Sequence, residues 1–307
     1  MPEIIAGSAQ YPRDTPPPVV TIGNFDGVHL GHQHLLARLK RRAQELSAPS
    51  CVYTFEPPPR VLLAPQLRQS RISAWDEKIR LLHEFGIDQV VIERFTRSFA
   101  QHPPEWFIRE ILERRLRVRA LVVGYDFRFG RARAGDVGFL RRTVPYLPVE
   151  QVLPQSNGDE VVSSSAIRRL VAAGEVERAA VLLGRPHNII GTVVGGEKRG
   201  RRLGFPTANV ESDSELLPPP GVYAVRTRID GVPDWLPSVA NLGTRPTFDG
   251  RHFLIEVHIL DFRGNLYGRQ AQVAFVGRIR DEKKFADADA LTAQLRQDVA
   301  AARALLT

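Results

Sequence analysis

A single cysteine, Cys51, stands in 307 residues, which excludes an internal disulfide and any multi-cysteine metal site. It falls in the short apolar run Cys51 to Phe55 and reads as a small core residue. Long apolar runs are missing as well: nothing approaches the roughly 18 uninterrupted apolar residues of a membrane-spanning helix. The opening MPEIIAGSAQYPRD has no basic segment followed by an apolar core, so the expectation is a cytoplasmic protein with no membrane partner. Lysine is scarce, at five of the 42 basic residues. The formal charge of +8 still suits anionic ligands. The runs Arg38 to Arg42 and Arg114 to Arg119 follow amphipathic helical patterns and read as solvated faces. No RNA-binding aromatic motif accompanies them, and nucleic acid is not an expected partner. What is present, 43% apolar and 25% charged residues, is the composition of a folded globular protein long enough for two domains. Nothing in it specifies an oligomeric state.

The richest stretch is Gly23-Asn24-Phe25-Asp26-Gly27-Val28-His29-Leu30-Gly31-His32. Before it lies the apolar run Val19 to Ile22, short enough for a buried strand; after it, Leu35, Leu36, Leu39, Ala43 and Leu46 recur with helical period. A glycine-rich turn that opens a helix offers free N–H groups to an anion, and Gly23, Gly27 and Gly31 are expected to supply positive φ or close backbone approach. His29 and His32 are spaced to bring both imidazoles to one side, where they donate to a reacting phosphate. A tight turn with surface histidines is the plain alternative. The stretch is not a Walker A loop, since no G-K-[ST] follows, nor the dinucleotide fingerprint, since the glycines are wrongly spaced.

From residue 19 to about 184, apolar runs alternate with helical patterns. Strands are expected at 19–23, 51–55, 89–92, 120–124 and 149–153, with helices at 31–46, 76–85, 104–116 and 166–173. That alternation predicts a Rossmann-like, doubly wound parallel sheet with ligands outside the carboxyl ends of its strands. At those ends lie three further stretches. Thr54-Phe55-Glu56-Pro57-Pro58-Pro59 reads as too rigid for strand or helix. Gly124-Tyr125-Asp126-Phe127-Arg128-Phe129-Gly130 is either a turn with two core aromatics or an aspartate and aromatic wall facing a planar ligand, and the stretch alone does not choose. Ser163-Ser164-Ser165-Ala166-Ile167-Arg168 caps a helix and also makes a second phosphate cradle.

Gly184-Arg185-Pro186 ends the helical part, which places a domain boundary there: residues 1–184 and 185–307. Beyond it, strands at 189–194, 222–229, 237–242, 253–260 and 270–276 predict a small antiparallel barrel. A final helix with Leu291, Leu295, Val299, Ala302 and Leu306 on one face then packs against it. Within the barrel half, Arg199-Gly200-Arg201-Arg202-Leu203-Gly204-Phe205-Pro206-Thr207-Ala208-Asn209 sets a hydroxyl and an amide two residues apart, oxygen donors suited to Mg2+. Glu256 alternates with Ile255 and Val257 and faces away from them.

GNFDGVHLGH, TFEPPP, GYDFRFG and VSSSAIR, in that order, resemble the adenylyltransferase half of the bacterial bifunctional riboflavin kinase/FMN adenylyltransferases, or FAD synthetases. RGRRLGFPTAN, Gly221-Val222-Tyr223, the stretch from Asn241 to Phe248 and that from Ile255 to Phe262 resemble their riboflavin kinase half, so the likeness spans residues 19 to 307. The resemblance implies two steps: ATP phosphorylates riboflavin to FMN, then adenylylates FMN to FAD. It further implies ATP contacts from Gly23, Asn24, Phe25, His29, His32, Ser164 and Arg168 in one half and from Arg199, Gly204, Thr207 and Asn209 in the other. Asp126, Phe127 and Phe129 would face the flavin. Thr207 and Asn209 would hold Mg2+, Glu256 would take the proton of the ribityl hydroxyl, and His29, His32 and Arg168 would act in adenylyl transfer. The chain departs from the family pattern at Pro58, where a histidine is usual, at Ser165 for threonine, and at Gly195, where a histidine is frequent.

Overall fold

The computed structural model describes the chain apart from residues 65, 67, 68, 159, 196–199, 201, 202, 248 and 249, with backbone alone at 244–247 and 250–254. Proximity of Cα atoms divides it into two units, residues 1–69 with 75–163 and residues 70–74 with 164–307.

The first unit is built on strands β1 (Glu3–Ile5), β2 (Val19–Ile22), β3 (Ser50–Glu56), β4 (Gln89–Arg94), β5 (Ala120–Gly124) and β6 (Val149–Val152). They form one sheet in the order β1-β4-β3-β2-β5-β6, and every pairing in it is parallel. Parallel strands are covered on both faces, which is why the runs are continuously apolar. On one face Val20, Cys51, Tyr53, Val91 and Leu121 meet Ile108, Ile111 and Leu112. On the other, Val19, Val52, Val90 and Val122 meet Leu36 and Leu39 of helix α1 (Leu30–Glu45) and Ile79 and Leu82 of helix α2 (Trp75–Glu84). Helix α3 (Phe107–Arg115) has wider, π-type turns, and α4 (Val137–Thr143) follows β5. The sheet grows outward from β2 in both directions, so a crevice opens at the carboxyl ends of β2 and β5.

Two expectations change here. A three-residue edge strand, β1, precedes the predicted ones. The proline run is not excluded from regular structure: β3 runs through Glu56, and Pro59 starts a short helix, Pro59–Leu63, capped by Pro58. Proline is tolerated at a first helical position because its missing N–H has no partner there. After β6, the short strands β7 (Ser156–Asn157) and β8 (Glu160–Val161) pair antiparallel.

The second unit begins with helices α5 (Ser164–Ala172) and α6 (Val176–Leu183), which end at Gly184 in the left-handed region, φ 74°. Six antiparallel strands follow: β9 (His187–Val194), β10 (Ala208–Glu211), β11 (Gly221–Ile229), β12 (Leu236–Thr247), β13 (Gly250–Ile259) and β14 (Gln270–Arg280). They close as a barrel in the order β10-β13-β12-β11-β14-β9. The expected strands omitted β10, which is four residues long and only half-buried over its first two. Inward residues Ile189, Val193, Val210, Val225, Ala240, Leu242, Ile255, Val257 and Phe275 make the core, and Val176 of α6 is fully buried with them. Helix α7 (Ala288–Leu306) lays Ala302 and Leu306 against Val222, Ala224 and Val239 on the outside of the barrel. On the same helix Asp298, 1% exposed, receives two hydrogen bonds from Arg280 at 2.9 and 2.7 Å.

Candidate functional site

In the first unit the loop between β2 and α1 sits at the crevice. Positive φ is taken by Gly27 (80°), as the glycine pattern foretold, but also by Phe25 (50°) and Val28 (38°), and not by Gly23 or Gly31. A β-branched residue at positive φ is strained, and such strain persists only where its surroundings impose it. Phe25 and Val28 are both fully packed into the core, and Gln33 Nε2 donates to the Val28 carbonyl at 2.9 Å. Gly31 lies close to the same site: a Cβ there would stand 3.3 Å from the His29 ring, which would have to shift slightly.

His29 caps α1, its Nδ1 accepting from the His32 backbone N–H at 3.3 Å, which leaves the proton of the neutral ring on Nε2. The two imidazoles stack with centroids 3.6 Å apart and planes 17° from parallel, while Phe25 flanks His32 at 5.1 Å. The pair differs in satisfaction, since His32 Nδ1 is enclosed without a hydrogen-bond partner. Burial holds the His32 pKa well below the ordinary histidine value of 6.5, and the charges of His29 and Lys78 push the same way. At neutral pH His32 is therefore an uncharged ring with one nitrogen waiting for a partner. Asn24 closes the loop on the other side, its carbonyl accepting from Lys78 Nζ at 3.3 Å.

After β5, Phe127 is half-buried and stacks on Phe129, centroids 5.4 Å apart, while Asp126 is exposed. Phe129 is 7% exposed and belongs to the core, against Phe107 and Phe139. Its ring is thus the floor of the stretch, with Phe127 above it. Close by in sequence, a cavity of about 110 Å³ is lined by Phe95, Phe99, His102, Trp106, Phe107 and Gly130, among others. His102 stacks on Trp106 at 3.7 Å. Apart from Gly130 these residues lie outside the motifs; their signal in the sequence was a concentration of aromatics between 95 and 107.

Ser164 opens α5, and Arg168, one turn along, donates from Nε to the Ser70 carbonyl at 2.7 Å. Both belong to the second unit.

On the barrel, register sets Asn209 of β10 opposite Glu256 of β13, and Glu256 opposite Asn241 of β12. All three alternate with the inward residues Val210, Ile255, Val257, Ala240 and Leu242, so they form one row on the outer surface. Asn241 Nδ2 stands 3.5 Å from Glu256 Oε2. His258, two residues on from Glu256, shares a 2.8 Å hydrogen bond with the Pro206 carbonyl and thereby ties the segment before Thr207 to β13. Asn241 and His258 were not singled out as site residues, although both lie within motif stretches. Thr207 and Gly204 are exposed, and Arg199 lies outside the described residues. The loop folds back on Gly200: Phe205 N–H donates to its carbonyl at 2.8 Å, and an added Cβ would meet the Phe205 carbonyl at 2.3 Å. Only glycine fits this cradle.

Among the described residues no cluster of three or more His, Cys, Asp or Glu could hold a metal ion. No helix among them is long and apolar enough to cross a membrane.

The FAD synthetase family model matches residues 11–166, and the riboflavin kinase family model matches residues 183–306. The bifunctional riboflavin kinase/FMN adenylyltransferase of Pseudomonas fluorescens is 43% identical over 295 residues, 94% of this chain and 92% of that protein. Its counterpart in Escherichia coli K12 is 42% identical over 287 residues, 93% and 91% of the two chains. A solved structure described as a macrolide-efflux protein from Streptococcus pneumoniae covers 98% of both chains with a TM-score of 0.89 at 30% identity.

Proposed function

Because the chain belongs to the bifunctional riboflavin kinase/FMN adenylyltransferase family, we propose that its two reactions run at the two loci described above, adenylyl transfer at the His29–His32 loop and phosphoryl transfer on the outer row of the barrel. The enzyme phosphorylates riboflavin to FMN and adenylylates FMN to FAD, consuming ATP in each step. The observation that carries the division is that each chemically equipped row stands in the span matched by the corresponding family model. Functional domains of residues 1–184 and 185–307 follow from the same reading, with α6 a structural support of the barrel. We place the enzyme in the cytoplasm.

In the kinase half, Glu256 accepts the proton of the ribityl hydroxyl as its oxygen bonds to the γ-phosphorus of ATP and the bond to the β-phosphate oxygen breaks. The transition state is loose, so orientation of the alcohol and neutralisation of charge matter more than a strong base. Asn241 orients the Glu256 carboxylate. Thr207 and Asn209 offer neutral oxygens beside the Gly200 cradle, a donor set that fits Mg2+ shared with ATP phosphates rather than caged by protein. When bound, that ion neutralises phosphate charge. Arg199 and Gly204 complete the ATP contacts.

In the adenylyltransferase half, an FMN phosphate oxygen bonds to the α-phosphorus of ATP while the bond to pyrophosphate breaks. The nucleophile is already an anion and needs no base. The helix start with Gly23, Asn24 and Phe25 and the rings of His29 and His32 stabilise the charge that builds up. Mg2+ belongs to this reaction too. The flavin ring enters from the aromatic side, where Phe127 stacks on Phe129 and Asp126 is exposed beside them in the chain. The 110 Å³ cavity is smaller than the roughly 300 Å³ of a small-molecule pocket and takes only an edge of the ring.

Glu256→Gln keeps the shape and removes the basic carboxylate. FMN formation from riboflavin and MgATP should fall by on the order of 100-fold or more, while FAD formation from supplied FMN continues. Equal loss of both reactions in a folded variant would show a single composite site.

A further inference from the structure

One buried cation of the first unit, Lys78, lies outside every motif. Lys78 is 7% exposed, although lysine is among the residues least often buried. It stands in the first turn of α2, where a cation faces the unfavourable end of the helix dipole. Its stem shares the apolar stripe of Trp75, Ile79 and Leu82, its Nζ lies 4.1 Å from the Trp75 ring centroid, and it donates to the Asn24 carbonyl within the phosphate-binding loop. The same charge acts on His32, whose Nδ1 is enclosed and unpartnered.

Resting on the assignment of adenylyl transfer to this loop, we propose that Lys78 is the fixed cation of that site, facing the phosphates of ATP from α2 while the neutral His32 ring beside it donates a hydrogen bond. The two groups divide the work. Lysine is a compact point charge that balances the extra charge of the pentacoordinate phosphorus and of departing pyrophosphate. Because it already carries the positive charge, an uncharged imidazole beside it suffices as a directional donor. Around His32 the ionisable groups that act on its protonation are His29 and Lys78, both of which oppose it.

The test compares Lys78→Met, which keeps an apolar stem, with Lys78→Gln, which keeps a donor for Asn24 but no charge. Both should lower kcat for FAD formation from FMN and MgATP by on the order of 100-fold, with riboflavin phosphorylation by the same protein unchanged. In both, the acid limb of the FAD-formation pH profile should move to higher pH, since His32 no longer faces an ammonium. Should Lys78→Met melt below the assay temperature, Lys78→Gln decides. A glutamine variant within about threefold of wild type, or an unmoved acid limb, would reduce Lys78 to a strut for the loop. If His32→Ala abolishes FAD formation while the Lys78 variants keep it, only the role of the lysine fails; if all of them keep it, the assignment of the loop fails.

Discussion

Each unit buries a neutral histidine, and the two are put to different ends. His187, 2% exposed in the barrel, shares a 3.0 Å hydrogen bond with the Leu216 carbonyl and lies parallel to Phe275 at 6.1 Å. Burial draws its pKa down to about 4. His32 is also held well below 6.5 by burial, yet its enclosed Nδ1 has no partner and its neighbours are a stacked imidazole and an ammonium. A depressed pKa thus marks burial in both units, and the two rings differ in whether the enclosed nitrogen has a hydrogen-bond partner. This is why a lone histidine in an apolar strand is reasonably taken as core, and one at a strained loop is not.

The comparison can be broken in four ways, in order of expected size. His187 is about 4 when folded and near 6.5 when unfolded, so the unfolded chain binds the proton more readily between those values. Its contribution is fully present above pH 6.5 and is lost as pH falls towards 4, by up to about 3 kcal/mol. Denaturant titrations across that range should show the slope, and His187→Gln should flatten it. His32→Ala should reduce FAD formation by on the order of 100-fold with FMN formation intact; product chromatography reads both at once. If the alanine change acts mainly on the melting curve, the two histidines are alike after all. A barrel fragment of residues 185–307 should fold and make FMN. Without the buried Val176 it should be roughly 2 kcal/mol less stable than residues 164–307, and identical denaturation midpoints would detach α6 from the barrel. Smallest is Pro58→His. Proline lacks a donor where the family resemblance implies an imidazole, so introducing one should alter adenylylation by about tenfold or less, the worth of one hydrogen bond near 1.4 kcal/mol. A wild-type adenylyl step that is absent until this change would mean that the first unit has lost its activity.

What could be read from the sequence follows the same division between pattern and surroundings. Apolar runs and helical periods located five of the six sheet strands and the barrel's longer strands, because burial on two faces or on alternate residues leaves a periodic trace. The short strands had no such trace: β1 has three residues, and β10 has four, only half-buried over its first two. At the loop between β2 and α1, glycine spacing foretold the positive φ of Gly27 but not those of Phe25 and Val28, which are held by packing in the core. Lys78 was hidden by being polar within an apolar stripe, where a helical-wheel reading treats it as a surface residue. The row of Asn209, Glu256 and Asn241 needs strand register, which joins positions separated by as many as 47 residues, and no local pattern records it.

Closure of the barrel has a consequence for where a further strand can be added. Around the closed part of the barrel each described strand has two hydrogen-bonded neighbours, while β12 beyond Leu242 is paired with β13 alone. The open sheet of the first unit ends instead in β1 and β6, of three and four residues. Such short edges present few unpaired amides, and Glu150 on β6 is engaged by Arg38 at 2.6 Å, setting charge along that border. Among the described strands, addition of a further strand is therefore left to the short borders β1 and β6 and to the β12–β13 pair beyond Leu242.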